Sequence, residues 1–170
     1  MTKKLESISI ETPLGNMVAI ADHNGLHLLE FVDRKGIERE MAQFQARMGV
    51  PIGPGNLAVL QSISQELKLY FAGKLKMFQT PYHFGGTPFQ KLVWGALENI
   101  PYGETKSYAQ QAVDVGRPLA CRAVANANSK NQLAILVPCH RIINSSGKLG
   151  GYAGGLTRKQ WLLDHEKSYK

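Results

Sequence analysis

Thr87-Pro88-Phe89-Gln90 is the sharpest structural instruction in this chain. Threonine is a strong helix N-cap, proline is pre-set for the first helical position, and glutamine two residues further on can return the cap's hydrogen bond. Behind it Phe89, Leu92, Val93, Ala96, Leu97 and Ile100 keep helical spacing until Pro101-Tyr102-Gly103 stops them. The sequence before residue 81 opens on a different period. Ile8 and Ile10 alternate with polar residues, Thr12-Pro13-Leu14-Gly15 marks a turn, and the apolar run Met17 to Ala21 ends at a second turn, Asn24-Gly25. Leu26, Leu28 and Phe31 supply a third strand. We place a domain boundary in the stretch Pro81 to Gly86, read as a linker.

The rest of the chain fills in around that boundary. Residues 34–48 are helical in composition, and Pro51 to Asn56 break them off. A helix over 57–72 carries Leu57, Leu60, Ile63, Leu67 and Tyr70 on one face and ends at Gly73. Beyond the first C-terminal helix, Ser107-Tyr108-Ala109-Gln110 repeats the capping-box pattern and opens a short helix that Gly116 ends. Pro118 starts a third helix, roughly 118–127. Two short helices joined through a glycine outline a helix-turn-helix. The expected fold is α+β: a small N-terminal β-sheet plus helix domain over 1–83, then a mostly α-helical C-terminal domain with a helix-turn-helix over 84–170.

At 170 residues the chain suits one ordinary domain with a small companion. Basic residues exceed acidic ones by seven, which favours a polyanionic partner, nucleic acid before membrane. No apolar segment follows Lys3-Lys4 to make a signal peptide, and the longest apolar run, Leu133 to Cys139, is far too short to span a bilayer. Cys121 and Cys139 do not form a disulfide framework, so a reducing, cytoplasmic setting is the simpler reading. His23 and His27 lie four apart in a strand-like segment and read as solvated surface histidines.

Three features bear on chemistry. Ala120, Ala123, Ala125 and Ala127 make the third C-terminal helix slim, with Arg122 its single long charged side chain. Such a helix either approaches DNA of any sequence closely or packs tightly in a core, and composition does not separate the two. Leu133-Ala-Ile-Leu-Val-Pro-Cys-His-Arg141 then delivers Cys139 and His140 out of a buried strand or core segment. Most buried cysteines are inert, but a basic neighbour favours the reactive thiolate. Finally Gly147, Gly150, Gly151, Gly154 and Gly155 bracket Tyr152 and Ala153, a density that suits close approach to a ligand or a flexible lid, and no phosphate-cradle motif is present.

Together these segments resemble the 6-O-alkylguanine-DNA alkyltransferases. The resemblance rests on Pro138-Cys139-His140-Arg141, on Gly86 to Trp94, on Ile100-Pro-Tyr-Gly-Glu104, on Gly151-Tyr-Ala-Gly-Gly-Leu156 and on Trp161-Leu-Leu-Asp-His-Glu166, in the family's order. It implies single-turnover transfer of an alkyl group from 6-O-alkylguanine in DNA, with 4-O-alkylthymine a further substrate, onto Cys139. His140 would activate the thiol through a water, with Glu166 behind it. Tyr108 would donate toward the leaving oxygen, and Asn131 would order the segment before the cysteine. Because the target is stacked in duplex DNA, it must be flipped out. Arg122 would fill the gap and Ala123 would lie against the minor groove. Tyr152, Ala153 and Gly154 would wall the base pocket. The resemblance implies a monomer acting on double-stranded DNA, cytoplasmic or nucleoid-associated, with no cofactor and no membrane partner. It also implies no metal, since of the zinc-ligand set of some relatives only His27 is recognised.

Two positions depart from the family pattern. Cys121 stands where a small residue is commoner, and reads as a packed side chain. Gln111 stands where leucine is common, inside the helix-turn-helix. The rival readings are a non-enzymatic protein that binds alkylated DNA, a helix-turn-helix regulator, and a cysteine hydrolase of acyl groups. The first lacks a nucleophile, the second needs base-reading side chains, and the third needs an acyl pocket.

Overall fold

A computed structural model of the protein describes residues 4–170, which form two compact units that meet in sequence at Phe84 and Gly85. In the first, β1 (Leu5–Thr12), β2 (Gly15–Ala21) and β3 (Leu26–Phe31) make an antiparallel meander. The turn between β1 and β2 is closed by Thr12, whose hydroxyl donates to the Gly15 carbonyl and accepts from the Leu14 amide. Two helices follow, α1 (Ile37–Met48) and α2 (Ala58–Phe71). Between them the segment read as a pure break contains a short strand, β4 (Ile52–Pro54), parallel to β1 at the edge of the order β3-β2-β1-β4. Three residues with two prolines nearby carry no periodic signal, and Pro54 is tolerated because this is an edge.

Ala19, Ile20 and Ala21 of β2 are all fully buried. Successive strand side chains point to opposite faces, so both faces of this strand are covered. Leu5, Ile20 and Leu28 pack with Phe44 of α1, while α2 lays Leu60, Ile63, Leu67 and Tyr70 inward and packs against β1 and β2.

The stretch after α2 is held more firmly than a linker. The Glu66 carboxylate accepts from the amides of Gln79 and Thr80 at 2.7 and 2.8 Å, and from the Thr80 hydroxyl. Leu26 then donates to the Pro81 carbonyl and His83 donates to the Leu26 carbonyl, so residues 81–83 extend along the start of β3. That contact also overturns the expectation of a solvated His27. Its Nε2 lies 2.8 Å from Asp22 and its ring stacks on His83 at 4.5 Å, with His83 in turn 3.2 Å from Asp22. His23 is exposed as expected. Asp22 caps the amides of Asn24 and Gly25, and its carboxyl sits near 2: burial pushes it up, but His27, the Asn24 amide and His83 outweigh that. The set offers three donor atoms within 4.8 Å of one another, one fewer than a closed zinc site uses.

The second unit is built from α3 (Pro88–Leu97), α4 (Tyr108–Asp114), α5 (Cys121–Ser129) and α6 (Leu156–Ser168). Both expected capping boxes form, with Thr87 and Gln90 exchanging bonds at 3.1 and 3.0 Å, and Ser107 and Gln110 at 3.1 and 2.8 Å. Two-residue strands β5 (Lys106–Ser107) and β6 (Ile142–Ile143) pair in parallel. The Trp94 indole donates to the Ala127 carbonyl at 2.8 Å and ties α3 to α5. Among the described residues no helix is long and apolar enough to cross a membrane.

One expectation needs correction here, and one open alternative is decided in favour of a buried core segment. The helix expected from Pro118 begins at Cys121 and runs to Ser129. Gly116, at φ 73°, ends α4 with paired bonds from Gly116 to Val113 and from Arg117 to Ala112, and Ala120 then bonds back to Arg117. The turn therefore consumes residues 117–120. The apolar run Leu133 to Val137 is buried, but it is a chain of tight turns and not a strand. Its amides and carbonyls bond within two to four residues, or to Asn131, and Ile135 sits at φ 70°.

Both tryptophans lie in the second unit, so their fluorescence reports its unfolding. Thr87→Ala should lower that unit's stability by about 1 kcal/mol in urea, the usual worth of an N-cap. An unchanged midpoint would mean that the capping box adds nothing.

Candidate active site

Cys139 opens a single turn of 3₁₀ helix, Cys139–Arg141, directly after the buried turns. Asn131 builds that approach. Its carbonyl oxygen accepts from the Leu133 amide at 3.0 Å, and its Nδ2 donates to the Val137 carbonyl at 2.9 Å and reaches the Cys139 sulfur at 3.4 Å. One buried side chain thus replaces the ladder that a strand would have provided. Ile135, a β-branched residue in the left-handed region, is strained by about 1–3 kcal/mol, and its neighbours hold it there. The sulfur ends up half-buried, on the wall of a pocket of about 270 Å³.

Tyr108, at the start of α4, forms another part of that wall, with Tyr152 and Ala153 opposite in the glycine-rich segment. Burial, and then the charge of a Cys139 thiolate, push the Tyr108 phenol above its ordinary range, so it stays protonated and able to donate. Its ring packs on Gly150. A Cβ there would lie 2.9 Å from the Tyr108 ring and hydroxyl, and at φ 67° only glycine sits easily. Gly154 is not part of the lining; its carbonyl accepts from Arg158.

The two residues after Cys139 belong to a buried charge node. His140 is fully buried, and its Nε2 lies 2.7 Å from Glu166 Oε2. Arg141 grips the same carboxylate through Nε at 2.7 Å and Nη2 at 3.2 Å, and donates its remaining nitrogen to the Ile100 carbonyl. Burial would raise the Glu166 carboxyl, but His140 and Arg141 hold it well below the usual carboxylate range. Burial also pushes His140 down, more than Glu166 draws it up. Both directions fit one state. Arg141 keeps Glu166 ionised, and a neutral His140 donates its Nε2–H to it. Nδ1 then carries the lone pair, and it has no hydrogen-bond partner among the described residues.

The sequence reading missed one residue. Lys159 is fully buried on α6, and its ammonium donates to the carbonyls of Leu149 and Gly151 at 2.6 and 3.0 Å. It therefore pins the glycine-rich segment against the helix, 5.8 Å from the Tyr108 ring. Burial drops its pKa to about 8, against the opposing pull of Cys139. The signal was available: Lys159, Leu162 and Glu166 fall three and four apart, on one buried stripe. Arg122 and Ala123 lie outside the pocket, exposed on the outer face of α5, and Cys121 beside them is half-buried.

Comparison with known proteins identifies the family. The family model described as 6-O-methylguanine DNA methyltransferase, DNA binding domain, matches residues 88–168, and the ribonuclease-like domain of the same family matches 7–84. The chain belongs to this family. The methylated-DNA–protein-cysteine methyltransferase of Methanosarcina acetivorans is 42% identical over 159 residues, covering 93% of this chain and 96% of that one. The Mycobacterium leprae enzyme of the same name is 45% identical, over 94% and 90%. In structure, the family's Mycobacterium tuberculosis O6-methylguanine methyltransferase superposes with a TM-score of 0.83 at 38% identity, over 98% of this chain and 94% of that one. A Mycobacterium tuberculosis structure in complex with DNA gives 0.84 at 38%, over 96% and 94%.

The node has a pH signature. A folded-state pKa below 6.5 for His140 means that the unfolded chain takes up a proton there which the folded protein resists. Stability is present above pH 6.5 and is lost as pH falls below it; Glu166 adds a loss of the same sign below 4.5. Urea unfolding followed by tryptophan fluorescence should therefore weaken from pH 7 to 5, with a slope approaching about 1.4 kcal/mol per pH unit for one proton. His140→Gln should flatten that slope; an identical slope would mean His140 is not the group responsible.

Proposed function

We propose that this protein repairs DNA by direct reversal, moving the alkyl group of 6-O-alkylguanine onto its own Cys139 in a single turnover. The observation that carries this reading is that Cys139 and Tyr108 line one pocket while His140, the next residue in the chain, is buried and paired with Glu166. Displacement at an alkyl carbon needs a soft nucleophile, and a thiolate is one. His140 Nδ1 takes the thiol proton through a bridging water, and the imidazolium so formed is stabilised by Glu166. The sulfur–carbon bond forms as the carbon–oxygen bond breaks, and the electron pair leaves on the guanine oxygen. The Tyr108 hydroxyl donates toward that oxygen as charge develops. The product is a thioether, so the protein is consumed.

Double-stranded DNA carrying alkylated guanine is the partner. The surplus of basic residues and the slim, exposed face of α5 support this. Arg122 enters the stack in place of the flipped base, Ala123 lets the helix approach the minor groove, and Tyr152 and Ala153 enclose the base. Asn131 acts on structure, ordering the turns before Cys139. One chain suffices for one lesion, so a monomer acts alone and no cofactor enters the reaction. The competing reading, damage recognition without repair, leaves Cys139 and its buried base without a purpose.

Intact-protein mass spectrometry after mixing with a duplex holding one 6-O-methylguanine tests this. One methyl group per chain, mapped to Cys139 and abolished by Cys139→Ser with DNA binding retained, is expected; tight binding with no mass change would leave only recognition. Arg122→Ala should slow transfer from the duplex at least tenfold while sparing a free 6-O-alkylguanine base. Equal slowing of both substrates would remove Arg122 from the flipping step.

A further inference from the structure

Gln111 fills, on α4, a position where the family commonly has leucine, and it is 1% exposed. A buried amide must find partners. Its partner is Asn128 of α5: Gln111 Nε2 donates to Asn128 Oδ1 at 3.0 Å, and Asn128 Nδ2 donates to Gln111 Oε1 at 2.7 Å. Gln111 Nε2 also donates to the Val93 carbonyl at 3.4 Å. A backbone carbonyl only accepts, so this contact decides which end of the Gln111 amide is nitrogen, and through the pair it decides the orientation of Asn128. Asn128 lines the pocket that holds Cys139, and Gln111 does not. Each primary amide has two N–H groups and two lone pairs, so Asn128 keeps one of each beyond the pair.

We propose that Gln111 is a positioning residue that fixes Asn128 as a polar stretch of the acceptor pocket, and that the pair sets the pocket against bulky apolar alkyl groups. The proposal rests on the alkyl-transfer reading above. A methyl group occupies only the space around the sulfur. A benzyl group outgrows it, and the amide is then among its neighbours. Covering the spare N–H and lone pair with an aromatic ring removes them from water without a substitute, which is unfavourable. A wall of two leucines would carry no such penalty.

The test compares single-turnover transfer from one duplex carrying either 6-O-methylguanine or 6-O-benzylguanine, using the full chain. Gln111→Leu/Asn128→Leu, which replaces the amide pair with an apolar one, should lower the methyl-to-benzyl rate ratio about tenfold while retaining a cooperative thermal transition. Gln111→Leu alone should move the ratio in the same direction, although residue 111 does not touch the pocket; a role confined to packing would shift the melting temperature and leave the ratio alone. If the single variant fails to fold, the double variant decides. A wild-type ratio in the double variant overturns the proposal. Absence of transfer from either substrate by the unmodified protein would instead overturn the alkyl-transfer reading itself.

Discussion

The Glu166 carboxylate is shared. One oxygen is held by the Arg141 Nε, and the other faces both His140 and the outer nitrogen of Arg141, all of them buried. A buried carboxylate is expensive unless it is paired and hydrogen-bonded, and this one is met on both oxygens. The pairing joins α6 to the turn that carries the cysteine, and Arg141 extends it to the turn after α3 through the Ile100 carbonyl. The position of Cys139 thus depends on a charge network whose members also set the protonation state of His140. Structure and chemistry use the same atoms.

Much of the fold was legible because it was written locally. The two capping boxes, the alternating strands and the apolar stripe of α2 each announce themselves within a few residues, and each forms as read. What the sequence did not disclose depends on contacts made at a distance. The strand Ile52–Pro54 exists because β1 offers it an edge. The run Leu133 to Val137 has the composition of a strand, but Asn131 satisfies its backbone groups and lets it fold into turns. His27 looked solvated because its partners, Asp22 and His83, lie five and fifty-six residues away. For the site the division is similar. Cys139, Tyr108, Tyr152 and Ala153 do share a pocket, whereas Gly154 does not line it. Lys159 was overlooked because a lysine on a helix is usually read as a solvated face.

The pocket is assembled from pieces that differ in rigidity. Cys139 comes from turns locked by Asn131, and Tyr108 from the first residue of a capped helix. The glycine-rich segment, by contrast, has few side chains with which to anchor itself. Its order comes from outside, through the close seat of Gly150 beneath the Tyr108 ring and through the ammonium of Lys159. A wall that must close around a base and yet be free of clashes with it is well served by backbone held at a few points.

That restraint has a practical corollary. An amine whose pKa lies near 8 is far more nucleophilic at neutral pH than an ordinary lysine, yet the Lys159 amine is sealed beneath the segment it holds. Burial is also what lowers that pKa, so acylating reagents pass the amine over while the wall stays seated and meet an ordinary lysine once water reaches it. The chain carries a chemical footprint of its own pocket, readable as the appearance of one modified lysine whenever the glycine-rich wall lifts.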